Sequence, residues 1–227
     1  MGEIVEFPSN GTTGQGYLAT PASGTGPGVV VIQEWWGLVD HIKDVCERFA
    51  AEGFVALAPD LYHGQTTTEP DEAGKLMMAM RMDKAAKDMG GAVDHVREHS
   101  SGDAVGVVGF CMGGGLALVL ATQRPDAVKA CVPFYGLIPW PDAQPDYSRL
   151  EAGVQGHYAE KDDFFTPELA RGLEQQLRDL GKEAELFVYP DTHHAFFNDT
   201  RPEVHDPEAA ATAWERTLGF LRSRLGS

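Results

Sequence analysis

Short apolar runs, each bounded by turn residues, alternate along this chain with longer stretches of helical periodicity. The short runs are rich in valine and other residues that favour strands, a composition typical of strands buried on both faces of a sheet. They predict strands at 28–32, 54–58, 104–110, 129–134, 154–158 and 186–189. Helices are predicted between them near 41–52, 70–98 and 116–121. This alternation indicates the α/β class, with a mostly parallel central sheet and helices on both faces.

Both ends of the chain carry patterns of their own. Runs at 3–7 and 16–19, joined by polar turn residues, predict a hairpin. Near the other end, Asp206 is a good N-cap and Pro207 suits the first position of a final helix. An apolar stripe predicts that this helix packs on the core, and it consists of Trp214, Leu218, Leu221 and Leu225. The segment 138–147 is expected to be an ordered excursion near a pocket, so residues 1–227 are predicted to form a single domain.

The composition favours a soluble protein with one substantial core. The chain has 227 residues, of which 43% are hydrophobic. No apolar run approaches the roughly 20 residues that span a bilayer, and the N-terminus lacks a basic start followed by an apolar core. Of three cysteines, Cys46 and Cys131 fall in a predicted helix and strand and are expected to be small core residues. This usage suits a reducing cytoplasm, where we expect the protein.

The charge balance is strongly acidic. Asp and Glu number 34 against 18 Lys and Arg, which gives a formal net charge of −16, and the basic residues form no run. Contacts to phosphate groups need clustered positive charge. We therefore expect no binding to nucleic acid or to an anionic membrane, and a small molecule as the partner.

Candidate chemistry begins where the strand at 104–110 passes into the next helix through Cys111. Glycines at 109 and 113 flank the cysteine, which is typical of a nucleophile elbow, a strained turn that lifts a reactive side chain above the sheet. The helix N-terminus favours the thiolate, and the Met112 N–H is placed to stabilise an oxyanion. The alternatives are a buried structural cysteine and a phosphate-binding loop, although the latter lacks its Lys and Ser/Thr ending.

An acidic pair and a histidine pair follow two later strands. Asp162 and Asp163 come after the strand at 154–158, and His193 and His194 come after the strand at 186–189. The carboxyl ends of parallel strands gather the chemistry of open sheets, and the order nucleophile, acid, histidine is that of hydrolases with such an elbow. The aromatic residues after each pair favour a pocket there, and together with the resemblance described below they favour Asp163 and His194. An isolated acidic pair is more often a solvated loop with a helix cap, here before Pro167. The alternative for the histidine pair is a turn that happens to contain histidine, or a buried imidazole with its hydrogen bonds satisfied.

The end of the strand at 28–32 adds a third group, the segment 33–37. Loops at this point commonly supply the second N–H of an oxyanion hole, here that of Trp35. Glu34 lies between a strand run and two tryptophans, where its carboxylate could hydrogen-bond the thiol. A surface glutamate on a loop is the alternative interpretation.

These segments resemble the dienelactone hydrolase family, cysteine enzymes within the α/β-hydrolase superfamily. The similarity lies in Gln-Glu-Trp-Trp-Gly at 33–37, Ala-Pro-Asp-Leu-Tyr at 58–62 and Gly-Phe-Cys-Met-Gly-Gly at 109–114. The resemblance implies an α/β-hydrolase fold and a catalytic triad of Cys111, Asp163 and His194, with Glu34 bound to the resting thiol until substrate frees the thiolate. It also implies attack on an ester or lactone, an acyl-enzyme, and no metal or organic cofactor.

Two departures from the family concern the substrate. The type enzymes clamp a carboxylate-bearing lactone with arginines, one of them four residues after the catalytic histidine, where this chain has Asn198. Arg81 is a candidate for the other clamp, with an exposed helix arginine as the alternative. Trp36, Phe196 and Asn198 complete the candidate substrate-binding residues. An esterase or thioesterase for uncharged substrates, and a non-catalytic binding protein of the same fold, are the alternative functions.

Overall fold

An eight-stranded sheet forms the centre of the molecule in the computed structural model, which describes residues 2–138 and 144–226. The strands are β1 (Glu3–Ser9), β2 (Thr12–Ala19), β3 (Gly28–Ile32), β4 (Val55–Pro59), β5 (Val105–Phe110), β6 (Val128–Phe134), β7 (Gly153–Lys161) and β8 (Ala184–His193). Their order across the sheet is β1-β2-β4-β3-β5-β6-β7-β8. The β1–β2 and β2–β4 pairs are antiparallel, and all the others are parallel.

Helices cover both faces of this sheet. They are α1 (Asp40–Ala51), α2 (Pro70–Ala79), α3 (Met82–His99), α4 (Met112–Gln123), α5 (Pro167–Asp179) and α6 (Pro207–Leu225). One buried cluster holds side chains of α3, α4 and α5, and a second on the other face holds those of α1 and α6. The central strands β3, β4 and β5 are buried at every residue, which explains why they appear in the sequence as unbroken apolar runs. The predicted α/β architecture is therefore confirmed.

The predicted hairpin and final helix are also present. β1 pairs with β2, and α6 begins at Pro207, where the Asp206 carboxylate accepts a hydrogen bond from the N–H of Ala209. No helix of the described residues is long and apolar enough to cross a membrane. Residues 139–143 of the predicted excursion at 138–147 lie outside the described part of the chain.

One predicted element is wrong. The single helix expected over 70–98 is two helices, because Met80 and Arg81 have extended backbone conformations between α2 and α3. α2 buries only Ala73, whereas α3 buries a row of residues against the sheet. Because α2 has so little core contact, packing does not force it to continue along the axis of α3.

The parallel strands bring five loops to one edge of the sheet. The carboxyl ends of β3, β5, β6, β7 and β8 point the same way, and the residues that follow them are Glu34, Cys111, Tyr135, Asp162 and His194. The topology therefore gathers titratable groups from distant parts of the sequence at one place, as open α/β sheets do.

Candidate active site

Cys111 lies at a strained turn between β5 and α4. Its backbone has φ 55° and ψ −121°, a conformation that residues with side chains rarely adopt. Its N–H donates to the carbonyl of Phe134 at 3.0 Å, which ties the turn to β6. A Cβ added to Gly113 would collide with the carbonyl oxygens of Ile32 and Gln33, and one added to Gly136 would collide with the carbonyl of Cys111. The turn can be this tight only because glycine occupies these positions.

His194 links this thiol to a carboxylate. Its Nδ1 lies 2.7 Å from Oδ2 of Asp162, and the imidazole lies close enough to the Cys111 side chain for the two groups to interact. Burial would lower the pKa of His194, but the hydrogen bonds and charges of Asp162 and Cys111 outweigh it and raise the pKa to about 10. His193 is exposed. His194 is therefore the histidine that the structure brings to Cys111.

The partner of His194 is Asp162, so the sequence-based preference for Asp163 is wrong. Asp162 is buried at 3% exposure, whereas Asp163 is exposed. The pairing of β7 with β8 is irregular between Ala159 and Lys161, at the end of the strand that leads to this pair. A shift of one residue reverses which side chains face the site, so the alternation seen earlier in β7 does not predict the inward residue.

Further donors hold the Asp162 carboxylate. Its Oδ1 accepts hydrogen bonds from the backbone N–H groups of Phe164 at 2.8 Å and Phe165 at 3.0 Å. Burial opposes ionisation, but these bonds and the one from His194 outweigh it, so the pKa of Asp162 is lowered. The carboxylate can therefore stay charged and orient the imidazole of His194.

Glu34 is buried beside this group but does not bind the thiol. It is 1% exposed, and its Oε2 accepts a hydrogen bond from Asn198 Nδ2 at 3.0 Å. Its Oε1 has no hydrogen-bond partner among the described residues. Burial raises the pKa of Glu34, and the charge of His194, the Asn198 hydrogen bond and the charge of Arg201 offset only part of that rise. The resting contact between Glu34 and Cys111 that the family resemblance implies is absent from this structure.

The two candidate oxyanion donors lie on adjacent segments. Met112 is the first residue of α4, and its N–H is one of the four that a helix leaves without an intrahelical partner. Trp35 lies two residues past Gln33, whose carbonyl packs closely on Gly113 at the start of the same helix. The two N–H groups therefore belong to segments in close contact beside Cys111.

Two candidate substrate-binding residues are buried and already in contact with other side chains of the protein. Phe196 has 0% exposure, with its ring 5.6 Å from that of Tyr135 and 5.0 Å from that of Tyr189. Asn198 is 2% exposed and its amide is bonded to Glu34. Phe196 is a core residue and Asn198 a support for Glu34, so neither prediction of a substrate contact holds.

The remaining candidates differ from each other. Arg81 is exposed and its guanidinium is bonded to the carboxylate of Asp83, so the structure agrees with the alternative of a surface arginine. Trp36 is half-buried, and its ring lies 5.8 Å from the guanidinium carbon of Arg201. Arg201, which the sequence does not single out as a site residue, also acts electrostatically on Glu34. Arg201 is itself ion-paired with Glu203, so what separates it from Arg81 is its electrostatic effect on Glu34.

Tyr135 is a site residue that the sequence analysis missed. Its ring lies 5.2 Å from that of His194, and its hydroxyl is buried without a hydrogen-bond partner among the described residues. Its φ of 35° is left-handed. Burial raises the pKa of this hydroxyl, and the charges of Glu34 and Cys111 raise it further. Its position directly after β6, at the same edge as the other groups, is the signal that could have found it.

The arrangement suits acyl transfer. It contains a thiol at a helix start, a histidine in contact with it and a buried carboxylate that orients the histidine. One group of possible metal ligands occurs in the part of the chain that the structure describes, on α3, and it consists of His95, Glu98 and His99. It shares no residue with the Cys111 site.

Comparisons with known proteins give a consistent result. The model of the dienelactone hydrolase family matches residues 15–225. "Protein usf" of Aquifex pyrophilus is 42% identical over 99% of this chain and 100% of its own length. A relative from Aquifex aeolicus, provisionally named a carboxymethylenebutenolidase, is 39% identical with the same coverage. A crystal structure from Klebsiella pneumoniae, provisionally named a dienelactone hydrolase, is 30% identical, has a TM-score of 0.88 and covers 97% of this chain and 98% of its own.

Proposed function

Because the chain belongs to the dienelactone hydrolase family and has an α/β-hydrolase fold, we propose that it hydrolyses carboxylic esters or lactones with Cys111 as the nucleophile. The observation that carries this proposal is that one imidazole, that of His194, is bonded to the buried carboxylate of Asp162 and lies close enough to Cys111 to interact with its side chain. A thiol needs a nearby base and the base needs an orienting group, and this chain of contacts supplies both.

In the proposed reaction the Cys111 thiolate attacks the substrate carbonyl carbon. The N–H groups of Met112 and Trp35 hydrogen-bond the oxyanion of the tetrahedral intermediate. Because His194 Nδ1 is bonded to Asp162, Nε2 is the nitrogen that faces the reaction. The imidazolium donates its Nε2 proton to the departing alkoxide, leaving an acyl-enzyme. His194 then takes a proton from water, the hydroxide attacks the thioester, and the Cys111 thiolate is released with the acid.

Each step of this reaction uses only side chains, backbone N–H groups and water, so we propose no metal or organic cofactor. The free state of Cys46, Cys111 and Cys131 supports the prediction of a cytoplasmic location. The single sheet that runs from β1 to β8 supports the prediction that the chain acts as one domain.

A second candidate is a hydrolase of uncharged esters or thioesters. The observation that favours it is Asn198, a neutral residue where the resemblance predicts a carboxylate-binding arginine. Arg201, whose guanidinium lies over the Trp36 ring, favours instead a substrate with a negative group. The two candidates share one nucleophile and differ in the charge of the substrate.

The test is the initial rate of hydrolysis of dienelactone and of a neutral aryl ester by the wild type, Cys111→Ala and Cys46→Ala. Cys46 is a buried thiol of α1 outside the site and serves as the matched control. We expect Cys111→Ala to lose both activities and Cys46→Ala to keep them. The ratio of the two rates in the wild type decides between the substrates. Full turnover by a folded Cys111→Ala protein would overturn the thiol mechanism.

A further inference from the structure

The two oxygens of Glu34 have different surroundings. Oε2 accepts the hydrogen bond from Asn198, whereas Oε1 is buried with no hydrogen-bond partner in the described residues. A buried acceptor without a partner costs free energy, so something else must keep the carboxyl group in this orientation. The Cys111 thiol does not donate to Oε1, and its side chain interacts instead with His194.

Asn198 is fixed so that its amide group must face Glu34. Its Oδ1 accepts hydrogen bonds from the backbone N–H of Thr200 at 3.1 Å and from the Thr200 hydroxyl at 2.6 Å. Only an oxygen can accept from a backbone N–H, so the NH₂ group is the one directed at Glu34. The Asn198 backbone N–H in turn donates to the carbonyl of Ala195 at 2.9 Å, in the turn that also carries His194.

We propose that Asn198 is a positioning residue that holds Glu34 off the Cys111 thiol, so that Cys111 and His194 form a reactive pair before substrate binds. This inference rests on the proposed function, because it concerns the same nucleophile. It reverses the order of events that the family resemblance implies, in which Glu34 masks the thiol and substrate unmasks it. The raised pKa of Glu34 agrees with it, because a neutral amide compensates a buried carboxylate less than an arginine would.

A consequence concerns the substrate. If the thiol is unmasked at rest, a substrate needs no carboxylate to displace Glu34. Neutral esters should then be attacked as readily as charged ones, and a preference for charged substrates would depend on Arg201, which is ion-paired with Glu203 in this structure. Any difference between charged and neutral substrates would appear in KM and not in kcat, because Arg201 would bind a charged group without activating the nucleophile.

The test is the rate at which iodoacetamide, a neutral alkylating agent, modifies Cys111 between pH 5 and 10. Only the thiolate reacts, so the rate reports its fraction. We expect the wild type to react at a nearly constant rate from pH 6 upward. Asn198→Leu frees Glu34 to bind the thiol, and its rate at pH 7 should fall by about tenfold, with the rise displaced to higher pH. Cys111→Ala gives the background from Cys46 and Cys131, which are both buried.

A double variant separates this effect from simple damage. Asn198→Leu combined with Glu34→Gln removes the carboxylate that would mask the thiol, so it should regain the wild-type rate and pH profile. Failure of the double variant to recover would overturn the proposal. If Asn198→Leu does not fold, Thr200→Val removes a support of the Asn198 amide and should displace the profile in the same direction, by a smaller amount.

The titratable and charged groups around Cys111 and Glu34 come from four loops. They are Tyr62 after β4, Tyr135 after β6, Asp162 after β7, and His194 and Arg201 after β8. None is altered in the variants, so a displaced profile reports the position of Glu34.

The outcomes for this inference and for the proposed function are distinguishable. If the wild type hydrolyses esters through Cys111 but is alkylated only above pH 8, the proposed function stands and the inference about Asn198 is wrong. If the wild type is alkylated rapidly at pH 6 but hydrolyses no ester, the thiol is unmasked as inferred and the proposed function is wrong.

Discussion

Asp162 and Glu34 are two buried carboxyl groups near the same histidine, His194, and they differ in their hydrogen-bond donors. Asp162 receives hydrogen bonds from His194 and from two backbone N–H groups, and its pKa is lowered despite its burial. Glu34 receives one bond from a neutral amide, and its pKa is raised by burial. Because both groups are buried, the number and charge of their donors explain why the two pKa values are shifted in opposite directions. Asp162 is bonded to the imidazole of His194, whereas Glu34 is bonded to the amide of Asn198.

The largest expected effect comes from removing the charge of Asp162. Asp162→Asn should lower kcat by about a thousandfold, because an amide no longer stabilises the imidazolium of His194 or holds its tautomer. Steady-state kinetics with an aryl ester at pH 7.5 measures this. Asp163→Asn is the matched control, since Asp163 is an exposed neighbour, and it should stay within about twofold of the wild type. A larger loss of kcat in Asp163→Asn than in Asp162→Asn would instead identify Asp163 as the carboxylate of the triad.

A smaller effect is the dependence of stability on the charge of His194. Its pKa in the folded protein, about 10, lies above the ordinary 6.5, so its stabilising contribution is complete below pH 6.5 and is lost as the pH rises toward 10. Urea unfolding of wild type and His194→Gln at several pH values measures this. The free energy of unfolding of the wild type should exceed that of His194→Gln by about 2 kcal/mol at pH 6, and the difference should disappear by pH 10. A difference in unfolding free energy that does not change with pH would mean that His194 stabilises the protein by packing and not by its charge.

The smallest effect has the opposite sign. Because the pKa of Glu34 is raised, the folded protein keeps a proton that the unfolded chain loses above pH 4.5, and stability falls as the pH rises from there. Glu34→Gln removes this titrating group, so its free energy of unfolding should exceed that of the wild type at pH 7, with no advantage at pH 4. Thermal unfolding at the two pH values measures the difference. A variant less stable at pH 7 than at pH 4, relative to wild type, would show that Glu34 is a stabilising anion.

The sequence predicted the strands and the edge at which the chemistry gathers. The reason is that buried parallel strands produce apolar runs, and topology fixes which ends meet. It did not predict the break at Met80, because no proline or glycine marks it and only the weak packing of α2 permits it.

Within the site, the sequence predicted residue types better than their orientations. The choice between Asp162 and Asp163 depends on an irregularity in strand pairing that leaves no mark in the composition. The contact between Glu34 and Asn198 joins residues 164 positions apart, so no local pattern could predict it. Phe196 is aromatic and adjacent to the site, but its direction is set by core packing against Tyr135 and Tyr189.

The backbone of Cys111 has an implication for how this chain changes over generations. A residue with a side chain held at φ 55° and ψ −121° costs about 1–3 kcal/mol, whether or not the thiol is used. Glycine at this position would remove the cost. A gene copy released from selection for activity would therefore gain stability by drifting to glycine at 111. The proposed thiol mechanism therefore requires that selection for activity outweigh this cost in stability.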